Sequence, residues 1–221
     1  MNNQKETYEF DAIVIGAGIV GLAIAHELST VYGNILVVDK ETTFGRHVSS
    51  RNSEVIHSGL YYEPHSLKAR LCVEGNRLMY DFARKYSINH RNCGKLIVIS
   101  TIEELPELEA LMQNGKNNGV EGLQIISGEE VNRREPIIKS SGGLSVPSAG
   151  IIDSHELMHK LEYLVISSDS SIVYNSEVTG IIHEDDYYIL SFKDIDYYVK
   201  TKIVVNSAGL WCDEVSKMVG I

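Results

Sequence analysis

The chain has 221 residues, three cysteines and a formal net charge of −10, with a sequence pI near 5.3. That length buries a core without disulfide staples, as one large domain or two small ones, and the acidic balance argues against nucleic acid as a partner, since its readers are basic. Cys72, Cys93 and Cys212 are odd in number, far apart and form no CxxC pair, which points to a reducing compartment and a cytoplasmic protein.

In chain order, residues 10–15 read as a fully buried strand, and Gly16-Ala-Gly18-Ile-Val-Gly21 as a turn. Residues 19–31 carry apolar side chains at helical spacing, stopped by Gly33-Asn34. Ile35-Leu-Val-Val38 is a second buried strand ending at Asp39. Continuous apolar strands around a helix predict a parallel sheet covered on both faces. The apolar run 12–25 admits three readings: a signal-peptide core, a membrane span, or a buried strand plus helix. It is shorter than the ~20 residues a span needs. Its flank is acidic (Glu6, Glu9, Asp11) where a signal peptide is basic. The strand-plus-helix reading stands, with peripheral contact to the inner membrane left open.

Residues 41–63 form a long polar segment, a length that inside a compact fold usually signals function. Residues 66–86 predict a helix with Leu67, Leu71, Leu78, Met79 and Phe82 as its core stripe. A strand at 95–99 precedes a polar surface helix at 102–117, with Pro106 in or near its first turn, where proline is tolerated. Residues 140–147 hold a turn and a short strand, and Asp153 or Ser154 caps a helix running to about 165. Two or three strands follow over 172–192, another at 197–199, and a last buried one at 203–206, running into Ala208-Gly209.

The glycine motif is informative because of where it stands. It follows a strand, opens a helix, and has an acid eighteen residues after Gly21. Gly16 makes the tight turn, Gly18 admits a pyrophosphate to the backbone, and Gly21 lets helix and strand pack closely. The helix N-terminus offers unbonded N–H groups and a positive dipole end. Asp39 suits ribose hydroxyls and disfavours a 2′-phosphate. These residues leave NAD and FAD both open.

The polar segment decides between them. Arg51-Asn-Ser-Glu-Val-Ile-His57-Ser-Gly-Leu-Tyr61-Tyr62 is followed by PHSLKARLCVEG from Pro64 and by CGKLIV from Cys93. VPSAGIID (146–153) and VNSAGLW (205–211) come later. Together these resemble the D-amino-acid-oxidase-type superfamily of FAD-dependent oxidoreductases. They are closest to its L-2-hydroxyglutarate dehydrogenase/oxidase branch, with patterns such as RNSGVIHAGIYY and CGKLIV. The resemblance runs from about Phe10 to the end. It implies an α/β fold: a Rossmann-like FAD-binding parallel sheet (8–84 and 151–221) with an inserted α+β part of a substrate domain (85–150), truncated at the C-terminus. One departure is Glu54, where the best-known members of that branch have glycine. A carboxylate there would alter the charge at the site and weaken recognition of a dicarboxylic acid.

The same resemblance implies that FAD is held by Gly16, Gly18, Gly21, Asp39, Lys40, Ser49, Ser50, Asn52 and Ser53. Val178 would lie by its backbone against the adenine, and Ala208 and Gly209 would permit close approach of the last strand. Ser49, Ser50 and Asn52 suit a diphosphate or ribitol, and turn chemistry explains them equally well. Catalysis would fall to His57 as base, Arg51 toward a phosphate or substrate carboxylate, and Tyr61 in the pocket with Tyr62. His47 would lie near the flavin methyl edge. The expected reaction is oxidation of a small 2-hydroxy acid by hydride transfer to flavin, with electrons passing to oxygen or a quinone-linked acceptor. The alternatives are an amino-acid or glycerol-phosphate oxidase, or an inactive FAD-binding fragment. Relatives of this type continue past residue 221, so a C-terminal half on a separate chain is an expected partner. No metal is expected: His155-Glu-Leu-Met-His159 is formally HExxH, but Leu157, Leu161 and Leu164 need that helix for packing, and Glu177 falls at a strand start.

Overall fold

The computed structural model describes residues 6–221. The first elements are β1 (Glu6–Ile15), α1 (Ile19–Ser29) and β2 (Ile35–Val38). Next come β3 (Val55–Ile56), α2 (Leu67–Tyr86), β4 (His90–Arg91), β5 (Lys95–Ile99) and α3 (Leu105–Asn117). Then follow β6 (Gln124–Ser127), α4 (Gly128–Arg134), β7 (Gly142–Val146) and β8 (Gly150–Ile152). The chain closes with α5 (Ser154–Ile166), β9 (Ser171–Val173), β10 (Val178–Glu184), β11 (Tyr187–Phe192), β12 (Tyr197–Asn206) and α6 (Cys212–Lys217).

Two compact units result. One comprises the residues up to Asn52 together with Ser154–Ile221, and the other is Ser53–Asp153. In the first, a six-stranded sheet has the order β10-β11-β12-β1-β2-β9. Strands β12, β1, β2 and β9 run parallel, and β10-β11 return antiparallel onto β12. Ile13 and Ile15 of β1 join Leu36, Val38, Leu190, Val199 and Val215 in one core cluster. Ala12 and Val14 point the other way and are also fully buried. Helix α1 packs on β1, β2 and α5. Burial on both faces is why these strands read as unbroken apolar runs. This is the α/β parallel-sheet architecture that the sequence predicted.

β12 corrects one expectation, because 197–199 and 203–206 are halves of a single strand. Lys200 and Lys202 point away from the core, while Thr201 between them is fully buried and donates its hydroxyl to the Asp11 carbonyl (3.1 Å). A buried hydroxyl with a backbone partner carries the strand through a stretch that looks polar.

The second unit has two three-stranded antiparallel sheets, β3-β8-β4 and β5-β7-β6. Sequence reading was silent on β3, β4, β6, β8 and α4. It also placed the domain boundary at residue 85, whereas 53–84 belong to the same compact unit as 85–153. The cause lies on α2. Its expected stripe is misassigned: Leu67, Leu71 and Leu78 are exposed, and the buried positions are Ala69, Asn76, Tyr80 and Ala83. Asn76 and Tyr80 both donate to the Ser148 carbonyl, at 2.9 and 3.2 Å. Those bonds tie α2 to the loop between β7 and β8. Ser66, read from the sequence as the first helical residue, instead caps the helix, accepting from the Ala69 N–H at 3.1 Å.

Candidate functional site

The glycine turn leaves the end of β1 and enters α1. Gly16 adopts φ +106°, open to glycine at little cost, and its N–H bonds the Val38 carbonyl (2.8 Å). Gly21 is required by contact: a Cβ there would lie 1.9 Å from the Gly16 carbonyl oxygen. Gly18 is the N-cap of α1 and offers no side-chain cap, and the helix has no acid in its first turn. Ser49 supplies the missing bond, its Oγ accepting from the Ile19 N–H at 3.0 Å.

Asp39 closes the other side. One carboxylate oxygen accepts from the Ala17 N–H (2.6 Å) and the other from the Glu41 N–H (2.9 Å). The Ala17 carbonyl in turn accepts from the Gly45 N–H (3.1 Å). The turn and the 39–45 loop are therefore one hydrogen-bonded body. Ser207, given no role by sequence reading, completes it. Its hydroxyl is shared between the Ile15 and Gly16 carbonyls (2.8 and 3.2 Å).

These residues fit an ADP-bearing cofactor. A helix N-terminus without a competing acid faces the turn. Two glycines stand where a side chain would collide with backbone, and a half-buried carboxylate is oriented by two N–H groups, with lone pairs left for hydroxyls.

Other predicted residues of this unit do local work as well. Ser50 donates to the His47 carbonyl (3.1 Å), and Asn52 to the Ser49 carbonyl (2.8 Å). Arg51 is exposed. Lys40 turns its ammonium over the Trp211 ring, 3.3 Å from the centroid. His47 lies edge-on to the same indole (4.6 Å) and pairs with Glu41 at 2.8 Å. Val178 is buried in the core cluster by its side chain and pairs in register with Phe192 of β11. Ala208 accepts from the Trp211 N–H (3.1 Å), and Gly209 opens the one-turn helix Gly209–Trp211. His155 and His159 both lie against the Phe44 ring, at 5.2 and 6.4 Å between centroids.

Tyr174 follows β9 and donates to a Glu162 carboxylate oxygen on α5. Burial and that carboxylate raise its phenol far above the ordinary tyrosine value, and the Phe44 N–H bonds it from the 39–45 loop. No motif pointed to this pair.

In the second unit, Ser53, His57 and Tyr61 are exposed, and Tyr61 is 57% so. The segment that carries His57 and Tyr61 is pinned by three asparagine amides. Asn76 donates to the His57 carbonyl (2.9 Å). Asn114 donates to the carbonyls of Leu60 (2.8 Å) and Tyr62 (2.9 Å). Asn118 donates to those of Gly59 (2.9 Å) and Tyr62 (2.8 Å). Sequence reading missed all three. Asn114 lies on the last turn of α3 and Asn118 caps its C-terminus, and that i, i+4 spacing was the available signal. Glu54, the departure in the motif, has φ +57°.

The turn, the carboxylate and the helix N-terminus define a dinucleotide-binding α/β domain. The family model "FAD dependent oxidoreductase" matches residues 11–221. The chain belongs to this family of oxidoreductases, whose cofactor is FAD. It is similar to human mitochondrial L-2-hydroxyglutarate dehydrogenase, 35% identical over 99% of this chain and 50% of that one. The Escherichia coli K12 L-2-hydroxyglutarate dehydrogenase is 34% identical over 96% and 50%, and the Arabidopsis thaliana mitochondrial one 46% over 68% and 31%. The chain thus spans about half the length of the curated relatives it matches, or less. Among solved structures, L-α-glycerophosphate oxidase from Mycoplasma pneumoniae, with FAD bound, aligns with a TM-score of 0.87 at 27% identity, over 95% of this chain and 56% of that one. Glycine oxidase from Geobacillus kaustophilus shares the fold, with a TM-score of 0.87 at 21% identity over 97% and 59%. No described helix is long and apolar enough to cross a membrane.

Proposed function

We propose that this chain is the FAD-binding part of an oxidoreductase that oxidises a small L-2-hydroxy acid of the 2-hydroxyglutarate type to the 2-oxo acid. The observation that carries this reading is the 35% identity to the human L-2-hydroxyglutarate dehydrogenase across 99% of the chain. When bound, FAD supplies the hydride acceptor. Gly16, Gly18, Gly21, Ser49 and Asp39 hold its ADP portion, with the backbone of Val178, Ala208 and Gly209 alongside. His57 takes the proton from the 2-hydroxyl, work suited to an imidazole near neutral pH. Its backbone, fixed by Asn76, limits where the ring can go. Tyr61 lines the substrate site, and Arg51 offers a cation to a phosphate or carboxylate. The bound flavin would then be reoxidised by oxygen or a quinone-linked acceptor. The three free thiols fit a cytoplasmic setting.

The test is the visible spectrum of the purified protein mixed with FAD and desalted. Retained flavin bands that bleach anaerobically with L-2-hydroxyglutarate, and not with the D-enantiomer, are the expected result. Retained flavin that bleaches only with glycine or glycerol 3-phosphate would overturn the substrate class. A colourless protein would overturn the cofactor role.

A further inference from the structure

Lys95 opens β5, where it pairs in register with Val146 of β7. Its ammonium lies 4.3 Å from the centroid of the Tyr61 ring. Lys68, on the first turn of α2, lies 4.6 Å from the centroid of the neighbouring Tyr62. Cys72 lies near both, its thiol feeling the two lysines and a hydrogen bond from Gly59. Burial pushes that thiol up, so it stays neutral and supplies no counter-charge. Burial also holds the Lys95 ammonium below the ordinary lysine value, with no carboxylate acting on it. Among the described residues no Asp or Glu forms a salt bridge with Lys95 or Lys68. The chain carries 30 acidic and 20 basic residues, so two cations left unpaired on adjacent tyrosines are not explained by a shortage of carboxylates. A half-buried ammonium resting on a ring, with no counter-ion, is a site for an anion. It lies on the residue four positions after His57.

We infer that Lys95, backed by Lys68, receives the far carboxylate of a dicarboxylic substrate, and so selects a dicarboxylic 2-hydroxy acid over a monocarboxylic one. This rests on the reading of the chain as a 2-hydroxy-acid oxidoreductase. It also offsets the repulsion that Glu54 was expected to bring. The lysine gives specificity through a carboxylate that takes no part in the redox step.

The test uses two acids that lack the 2-hydroxyl and report binding without turnover. Glutarate and butyrate are titrated calorimetrically into the purified protein. The wild type should bind glutarate about tenfold or more tighter than butyrate, as one charge-assisted contact provides. Lys95→Met should bring that ratio toward one, and Lys95→Arg should keep most of it. An unchanged ratio in Lys95→Met overturns the inference, as does a wild type without the preference. A variant that fails to fold is recognised by its circular dichroism, and Lys68→Met then carries the test, with a smaller fall in the ratio expected and an unchanged ratio counting against the site. A wild type that prefers glutarate through Lys95 but never bleaches with L-2-hydroxyglutarate overturns the reaction and leaves the dicarboxylate site standing.

Discussion

The glycine turn at 16–21 and the segment at 57–62 are both short and irregular, and they are held by opposite means. The turn is held by close packing of its own backbone, reinforced by a few side chains. Gly16 and Gly21 remove the side chains that would collide, and the Asp39 carboxylate and Ser207 hydroxyl bond the Ala17 N–H and the Gly16 carbonyl. The second segment borrows its support, with five carbonyl bonds from the amides of Asn76 on α2, Asn114 on α3 and Asn118 at the cap of α3. A backbone-held element is brittle to one added methyl group. A side-chain-held element is sensitive to the loss of one donor, and it can be mobile where the first cannot.

The largest expected effect tests the brittle half. Gly21→Ala forces a Cβ against the Gly16 carbonyl, which must shift together with the Ser207 hydroxyl that bonds it. Overpacking of this kind costs about 1–3 kcal/mol, and because the displaced groups form the phosphate-facing turn, FAD retention should fall roughly 10–100-fold. Desalting followed by a flavin spectrum reads this directly. Retention at the wild-type level would mean that the turn is as adaptable as the segment.

The borrowed half is tested by Asn118→Asp, which keeps the shape and removes both donors. The carbonyls of Gly59 and Tyr62 then face a carboxylate. The Tyr62 carbonyl keeps its bond from Asn114, but leaving the buried Gly59 acceptor unmet costs about 1–3 kcal/mol, read as a lower urea midpoint at pH 7 and as faster amide exchange confined to 57–62. Flavin retention should stay near wild type, because the turn does not depend on this amide. Equal losses of flavin and stability would erase the distinction.

A smaller effect concerns the Tyr174–Glu162 pair, which anchors the 39–45 loop from behind. Tyr174→Phe removes a half-buried hydroxyl bonded to a carboxylate, at a cost of about 1–2 kcal/mol. The pH dependence has a definite sign. The phenol is raised in the folded protein, so its contribution is complete below the ordinary tyrosine value of about 10. Above that value the unfolded chain loses a proton that the folded one keeps, and stability falls as pH rises. Urea midpoints between pH 8 and 11 should therefore decline more steeply in the wild type than in Tyr174→Phe. Parallel declines would remove Tyr174 as the cause.

The same contrast explains what could be read from the chain. Gly16, Gly18, Gly21 and Asp39 are legible because their requirement is local: a strand, a turn, a helix and an acid at a set distance. Asn76 is not, because its meaning depends on a carbonyl 72 positions away. The α2 stripe failed for the same reason. Counting leucines selects the face through 67, 71 and 78, but burial follows Ala69, Asn76, Tyr80 and Ala83, where small side chains allow close approach and polar ones have partners. Ser207 and Lys95 sat inside recognised motifs without a role, since each acts through a group that the linear pattern does not display.

Glu54 is where local reading and structure meet, and it gives the smallest effect. The motif departs from glycine at this position, and the structure holds the residue at φ +57°, a conformation that costs a non-glycine residue roughly 1 kcal/mol. Its carbonyl accepts from the Ile152 N–H (3.0 Å), so the strained residue sits at the seam where β3 meets β8. Glu54→Gly relieves the strain and adds freedom to the unfolded chain, two terms of opposite sign. A net stabilisation of up to about 0.5 kcal/mol is expected, read as a small rise in the urea midpoint with the slope unchanged. Glu54→Gln keeps the strain and removes the charge. If Gln matches Gly in raising the affinity for glutarate, the carboxylate was the obstacle to a dicarboxylic substrate. If only Gly does so, the backbone angle is what matters, and segment 57–62 begins its course at a joint as local as the glycine turn.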